Sequence, residues 1–303
     1  MSTELFESSY GKGNVKFLKV KKDPSDPQVQ EVLEANVQVL LRGKFDTSYT
    51  EADNSSIVPT DTVKNTILVE AKTNNVWPIE SFAAHLAKHF TAKYAQVEGI
   101  EVNIVQALWS KIELNGKPHA HSFKHQGPET RQTYLNYDKL TKKLVLQSSI
   151  KDLTVLKSTG SMFYNYNVCD YTTLKPTKDR ILSTDVSATW KFDSNKIGSL
   201  DDIIKNGANF DRAYKEAKDV TLELFCIENS PSVQATMYNM SEKILANVDE
   251  VATVTYVLPN KHYILFNLEW KGIKDNNDLF YPSSDPNGLI KCTVGRKGDK
   301  AKL

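Results

Sequence analysis

The stretch "SSIVPTDTVKNT" runs from Ser55 to Thr66, and a second Thr-Asp pair, Thr184-Asp185, stands in "LSTD". Thr60 and Asp61 follow a proline and precede a mixed apolar and polar run. That pattern predicts a helix start, with Thr or Asp as the cap and acid charge at the positive end of the helix dipole. What surrounds the two pairs decides the fold. Before the first, "NVKFLKVKKD" (14–23) alternates apolar and polar residues as a half-buried strand does. Asp23–Pro27 is a turn, and "EVLEANVQVLLRGKF" (31–45) is the return strand of a hairpin. After it, Pro78 opens a helix with Ile79, Phe82, Leu86 and Phe90 at spacings of three and four. "IEVNIVQALWSKIELNGKPHAHSFKH" (100–125) then reads as two strands joined at Asn115-Gly116.

The second half repeats this order. "KLVLQSSIKDLTVLKST" (143–159) and "SMFYNYNVCDYTTL" (161–174) read as strands, and Thr184-Asp185 echoes Thr60-Asp61. A helix follows around Tyr214, Ala217, Val220, Leu224 and Ile227, and a second carries Val233, Met237, Met240 and Ile244 on one face. "VATVTYVLPNKHYILFNLEW" (251–270) matches the strand pair of the first half. The chain is therefore read as α+β, a tandem repeat of about 1–138 and 139–303. Two antiparallel sheets with helices on one face are expected, with open edges that favour closure by oligomerisation.

Composition narrows the function. Thirty-eight basic residues against thirty-seven acidic give a formal charge of +1, which offers no electrostatic case for nucleic acid or an anionic membrane as a partner. Apolar runs such as "YILF" (263–266) are too short to span a bilayer, and the opening "MSTELFESSYGKGN" has no apolar core of a secretory leader. Cys169, Cys226 and Cys292 are widely spaced and odd in number, which points to a reducing compartment and away from a zinc site. The last residues, Ala301-Lys302-Leu303, are close to the Ser-Lys-Leu address, so a peroxisomal import receptor is an expected partner and the peroxisome the expected location.

Five stretches could carry chemistry. "HLAKH" (85–89) puts two histidines one helical turn apart but lacks the Glu of a zinc-protease helix, and "HAHSFKH" (119–125) has no carboxylate or cysteine at ligand spacing. Both are read as structural. In "ENSPSVQATMYNM" (228–240), Ser230 is read as the cap and Pro231 as the first helical residue. Val233 and Gln234 then fall in the first turn, where unpaired N–H groups suit an anion and the Gln amide suits a lactam edge. "LPNKHYILF" (258–266) places Asn260 and His262 on one strand face, with the apolar run behind them expected to be buried. Arg180, in "TKDRILSTD", can fork a planar acceptor. No hydrolase elbow, phosphate loop or dinucleotide fingerprint is present.

Eight blocks in one order resemble the urate oxidase family in its fungal and yeast form: "YGK" (10–12), "TSYTEADNSSIVPTDTVKNT" (47–66), "NGKPHAHSF" (115–123), "LTVLKSTGSMF" (153–163), "DRILSTDV" (179–186), "SVQATMY" (232–238), "LPNKHY" (258–263) and "DPNGLIKCTV" (285–294). The resemblance implies a tandem T-fold whose sheets close into a barrel in a homotetramer, with active sites at subunit interfaces. It implies oxidation of urate by dioxygen to 5-hydroxyisourate and hydrogen peroxide with no metal or organic cofactor. By the same resemblance, Arg180 and Gln234 would clamp opposite edges of the purine. The Val233 N–H would add a donor and Phe163 would stack on the ring. Lys12, Thr60 and His262 would relay protons, with Thr60 and Asp61 supplied by a neighbouring subunit, and Asn260 and Thr60 would hold dioxygen above the ring. The alternatives are a catalytically silent purine-binding T-fold protein and a pterin-type T-fold enzyme. The latter would want a Glu anchor where Arg180 and Gln234 stand.

Overall fold

The computed structural model describes residues 3–296. The tail Ala301–Leu303 lies outside the described residues. Its first half contains β1 (Tyr10–Lys22), β2 (Gln30–Gly43), the short helix α1 (Asp46–Thr50), α2 (Thr60–Thr73), α3 (Ile79–Lys93), β3 (Val97–Leu114) and β4 (Lys117–Asp138). The second half contains β5 (Leu144–Lys157), β6 (Leu182–Phe192), the short α4 (Leu200–Lys205), α5 (Gly207–Ile227), α6 (Val233–Asn247), β7 (Val251–Leu265) and β8 (Phe280–Gly295). The strands follow one another in sheet order from β1 to β8. With the short helices set aside, two strands, two helices and two strands occur twice, as the duplication predicts.

By packing, the chain forms two compact units, Met1–Ser149 with Trp190–Tyr214 and Ile150–Thr189 with Lys215–Leu303. In the first, β1–β2, β2–β3 and β3–β4 are antiparallel ladders. The alternation in β2 buries Leu33, Ala35, Val37, Val39 and Leu41 on one face. Against that side packs α3, whose Ile79, Phe82, Leu86 and Phe90 are at most 1% exposed. Each such side chain contributes about 1.5–3 kcal/mol of burial. Asn115 and Gly116, at φ of 52° and 73°, make the left-handed hairpin turn between β3 and β4.

A buried polar network braces this unit. Glu80 is fully buried on α3. It accepts from Arg131 Nη2 at 2.8 Å and from Ser148 Oγ at 2.6 Å. Arg131 also reaches Asp211 at 2.6 Å and lies 4.7 Å over the Tyr214 ring. The second unit is braced by neutral hydroxyls instead. Tyr256 Oη lies 2.6 Å from Thr221 Oγ1, which also donates to the Ala217 carbonyl.

Several local expectations need correction. Thr184 and Asp185 sit inside β6, not at a helix start. The second helix pair begins only at Gly207, so the dipeptide echo is coincidental although the repeat is real. Residues 161–174 form no strand beyond isolated bridges, because the backbone there bonds to 177–180 and 230 and not to a continuous partner. Ile264, Leu265 and Phe266 are exposed, not buried.

Candidate functional site

In the first unit, "YGKGN" sets up Lys12. A side chain at Gly11 would come within 1.9 Å of the Val39 carbonyl oxygen, so only glycine allows the β1–β2 pairing there. The register runs Lys12 opposite Val39 and then jumps to Val15 opposite Val37. Gly13 and Asn14 form a bulge, with Asn14 at φ 56° and its side chain accepting from Asn36 Nδ2. Bulges re-aim side chains, and this one immediately follows Lys12.

The loop before α2 is tied down at several points. Asp53 accepts from the Ser55 amide and hydroxyl, Gln96 Nε2 donates to the Ser56 carbonyl at 2.9 Å, and the Val58 amide donates to Tyr10 Oη at 2.8 Å. Helix α2 then opens on Thr60. Its cap position is Pro59, which makes no side-chain cap; the Pro59 carbonyl takes the Val63 amide. Neither Thr60 nor Asp61 is the cap, because Pro59 already fixes the extended backbone the cap needs. Asp61 instead lies in the first turn and accepts from Lys64 Nζ at 2.5 Å and Asn65 Nδ2 at 2.9 Å. Its carboxyl is held below the usual range mainly by Lys64, with the charge of Lys12 adding to the effect. Among the described residues no hydrogen-bond partner occupies Lys12 Nζ or Thr60 Oγ1.

In the second unit, an irregular segment builds the clamp. Met162 N donates to the Ser230 carbonyl, Ser230 N to the Gly160 carbonyl, Phe163 pairs in both directions with Thr177, and Arg180 N donates to the Ser161 carbonyl. The Ser161–Ser230 bridge thus joins the segment that holds the Arg180 backbone to the entry of α6. Both serines are fully buried. Arg180 lies 5.2 Å over the Phe163 ring, which also stacks on Tyr166 at 5.1 Å. Burial lowers the pKa of the Arg180 guanidinium from its ordinary value. The cap of α6 is Ser232, accepting from the Ala235 amide, and not Ser230, whose hydroxyl turns inward to Thr236. The helix starts two residues later than the proline suggested. Val233 and Gln234 are its first residues, and their N–H groups have no intrahelical acceptor. The Gln234 side chain is exposed.

Asn260 and His262 share one face of β7. Lys261, on the other face, is held 2.6 Å from Asp185, which also accepts from Thr154. In the second Thr-Asp pair it is Asp185 that anchors the residue between Asn260 and His262. Opposite them, pairing jumps from Gly288 to Ser283, so β8 loops out over Ser284–Asn287. The remaining histidines are committed elsewhere. His85 and His89 both bond Glu70, at 2.6 and 3.1 Å, and His119 packs against His121. Hollows of 620 and 380 Å³ on the first unit are lined by other residues than these nine. Sequence reasoning assigns no role to Tyr10, Gln96 or Ser161, although Tyr10 and Ser161 lie within the family blocks; it reads Ser230 as a cap and the Thr184-Asp185 pair as a support of Arg180, whereas Asp185 holds Lys261.

The uricase family model matches residues 8–136 and 146–291, which contain all nine candidate residues. The chain belongs to the uricase family. It is 63% identical to the uricase of Cyberlindnera jadinii over the full length of both chains. It is 48% identical to that of Aspergillus flavus over 97% of each. Among solved structures, the Arthrobacter globiformis uricase superimposes with a TM-score of 0.88 at 34% identity, covering 100% of this chain and 98% of that one. The antiparallel sheet with its helices is thus that of solved uricases.

Proposed function

We propose that this uricase-family chain oxidises urate with dioxygen and water to 5-hydroxyisourate and hydrogen peroxide, without a metal or organic cofactor. The observation that carries the reading is the division of chemistry between the two units. The first presents an uncommitted lysine and threonine hydroxyl beside a carboxylate. The second presents a cation over an aromatic ring near the unpaired N–H groups of a helix start.

The residue types fit the chemistry. Dioxygen is a triplet, so it accepts electrons from a closed-shell donor one at a time. An electron-rich urate anion can supply them, and the protein has to hold that anion flat, move protons and pin oxygen over the ring. Arg180 and Gln234 would clamp the two edges of the purine, the Val233 N–H would add a donor and Phe163 would stack on it. Lys12 and Thr60 would pass protons, with His262 completing the relay and Asn260 holding dioxygen or peroxide. Asp61 would contribute to substrate binding.

The reading places active sites at subunit interfaces of a homotetramer closed into a barrel. The pair Lys12–Thr60 would come from one subunit and the clamp from its neighbour. The C-terminal Ala-Lys-Leu would direct the assembly to the peroxisome. Protein treated with chelator and mixed with urate should consume dioxygen and release peroxide. No oxygen uptake would overturn the activity, and uptake restored only by added metal would overturn its cofactor-free character.

A further inference from the structure

Tyr10 is exempt from every role assigned so far, yet its hydroxyl makes a long-range bond at a telling place. Tyr10 and Lys12 are two residues apart on β1, before the bulge, so they share one strand face. The Tyr10 hydroxyl accepts from the amide of Val58, which is two residues before Thr60. The ring is wedged edge-on against buried Phe45 at 4.9 Å, and Val58 itself is buried. Gly11 between them admits no side chain against Val39, so the backbone of β1 packs directly on β2 at this point.

We propose that Tyr10 is a positioning residue, whose hydroxyl sets the start of α2 against β1 and so fixes the Thr60 hydroxyl relative to the Lys12 ammonium. The bond ties the two chain segments that carry the relay at matched distances from each group. The far end of α2 is fastened separately. Lys19 Nζ, also on β1, donates to the carbonyls of Ala71 and Asn74 at 2.6 and 2.5 Å. One strand therefore holds both ends of the helix, and only the Tyr10 end abuts the relay. Burial raises the Tyr10 pKa above its ordinary value, so the phenol stays protonated through neutral pH.

This inference rests on the relay reading of Lys12 and Thr60, and the test separates the two. Tyr10→Phe keeps the ring in its wedge and deletes the hydroxyl alone. Its kcat on urate should fall roughly 10- to 100-fold with KM unchanged, because a displacement near 1 Å suffices for such a loss. Tyr10→Phe/Thr60→Ala should be no slower than Thr60→Ala alone. Replacing the Val58 amide by an ester, which removes only the donor, should reproduce the loss. Lys19→Met should lower Tm and leave kcat intact. Tyr10→Phe with unchanged kcat, or losses that add to those of Thr60→Ala, would overturn the positioning role. Full turnover in Lys12→Met and Thr60→Ala would instead overturn the relay reading and the inference with it.

Discussion

The two units solve the same problem in different currencies. In the first, the helix layer is locked to the sheet by buried charge: Glu80 and Arg131 with Ser148, Asp211 and the Tyr214 ring. In the second, the equivalent brace is a pair of hydroxyls, Tyr256 with Thr221. The candidate chemistry differs in the same way. The first unit offers groups suited to moving protons, on a strand bulge and a helix start. The second offers fixed donors and an aromatic face, on a segment with little regular structure. Removing one partner of a buried charge pair costs several kcal/mol, whereas removing one hydroxyl of a neutral pair costs about 1–3 kcal/mol, and less where the remaining hydroxyl keeps a second partner. A proton relay needs rigidity more than a clamp does, since its donors and acceptors must meet within hydrogen-bond reach.

The comparison breaks most visibly in kinetics. Thr60→Ala and Lys12→Met should each lower kcat by roughly 10²- to 10⁴-fold while urate still binds. Arg180→Ala should instead weaken binding, measured by equilibrium titration under anaerobic conditions. If all three variants lost binding alike, the division of labour would be wrong.

Stability sharpens it next. Arg131→Met leaves Glu80 buried without its cation and should destabilise the fold by about 3–5 kcal/mol, read from denaturant unfolding. Tyr256→Phe leaves Thr221 still bonded to the Ala217 carbonyl and should cost only about 1 kcal/mol. Equal losses would erase the contrast between the two braces.

The smallest effect is a pH dependence that His89 brings to the first unit. Burial holds the His89 pKa below 6.5, against the opposing pull of Glu70. The unfolded chain then binds a proton that the fold resists, so stability is full above about pH 6.5 and declines as the pH falls below it, by at most about 1.4 kcal/mol per unit. Thermal unfolding between pH 7.5 and 5.5 should show this slope, and His89→Gln should flatten it.

Much of the fold was legible because its signals are local and periodic. The apolar spacing of α3, the alternation of β2 and the Asn115-Gly116 turn each follow from backbone geometry alone. What escaped depended on distant partners. Thr184-Asp185 reads like Thr60-Asp61 in sequence, yet it lies inside β6, where Asp185 accepts from Thr154 and Lys261. The aromatic run 161–174 alternates like a strand but has no continuous ladder to join. A proline at 231 suggested a helix start that Ser232 delays. The candidate site residues came from family motifs spread over the chain, and Tyr10 and Asp185 lie within those motifs, but the contacts by which they act, to Val58 and to Lys261, join segments far apart in sequence.

The account turns on one subunit's relay serving its neighbour's clamp. Thr60→Ala and Arg180→Ala chains, each inactive alone, should be mixed, reassembled and verified as hybrid oligomers, and their oxygen uptake with urate measured. The account predicts that a fraction of wild-type activity returns, because some interfaces pair an intact relay with an intact clamp. Verified hybrids that remain inactive would contradict it.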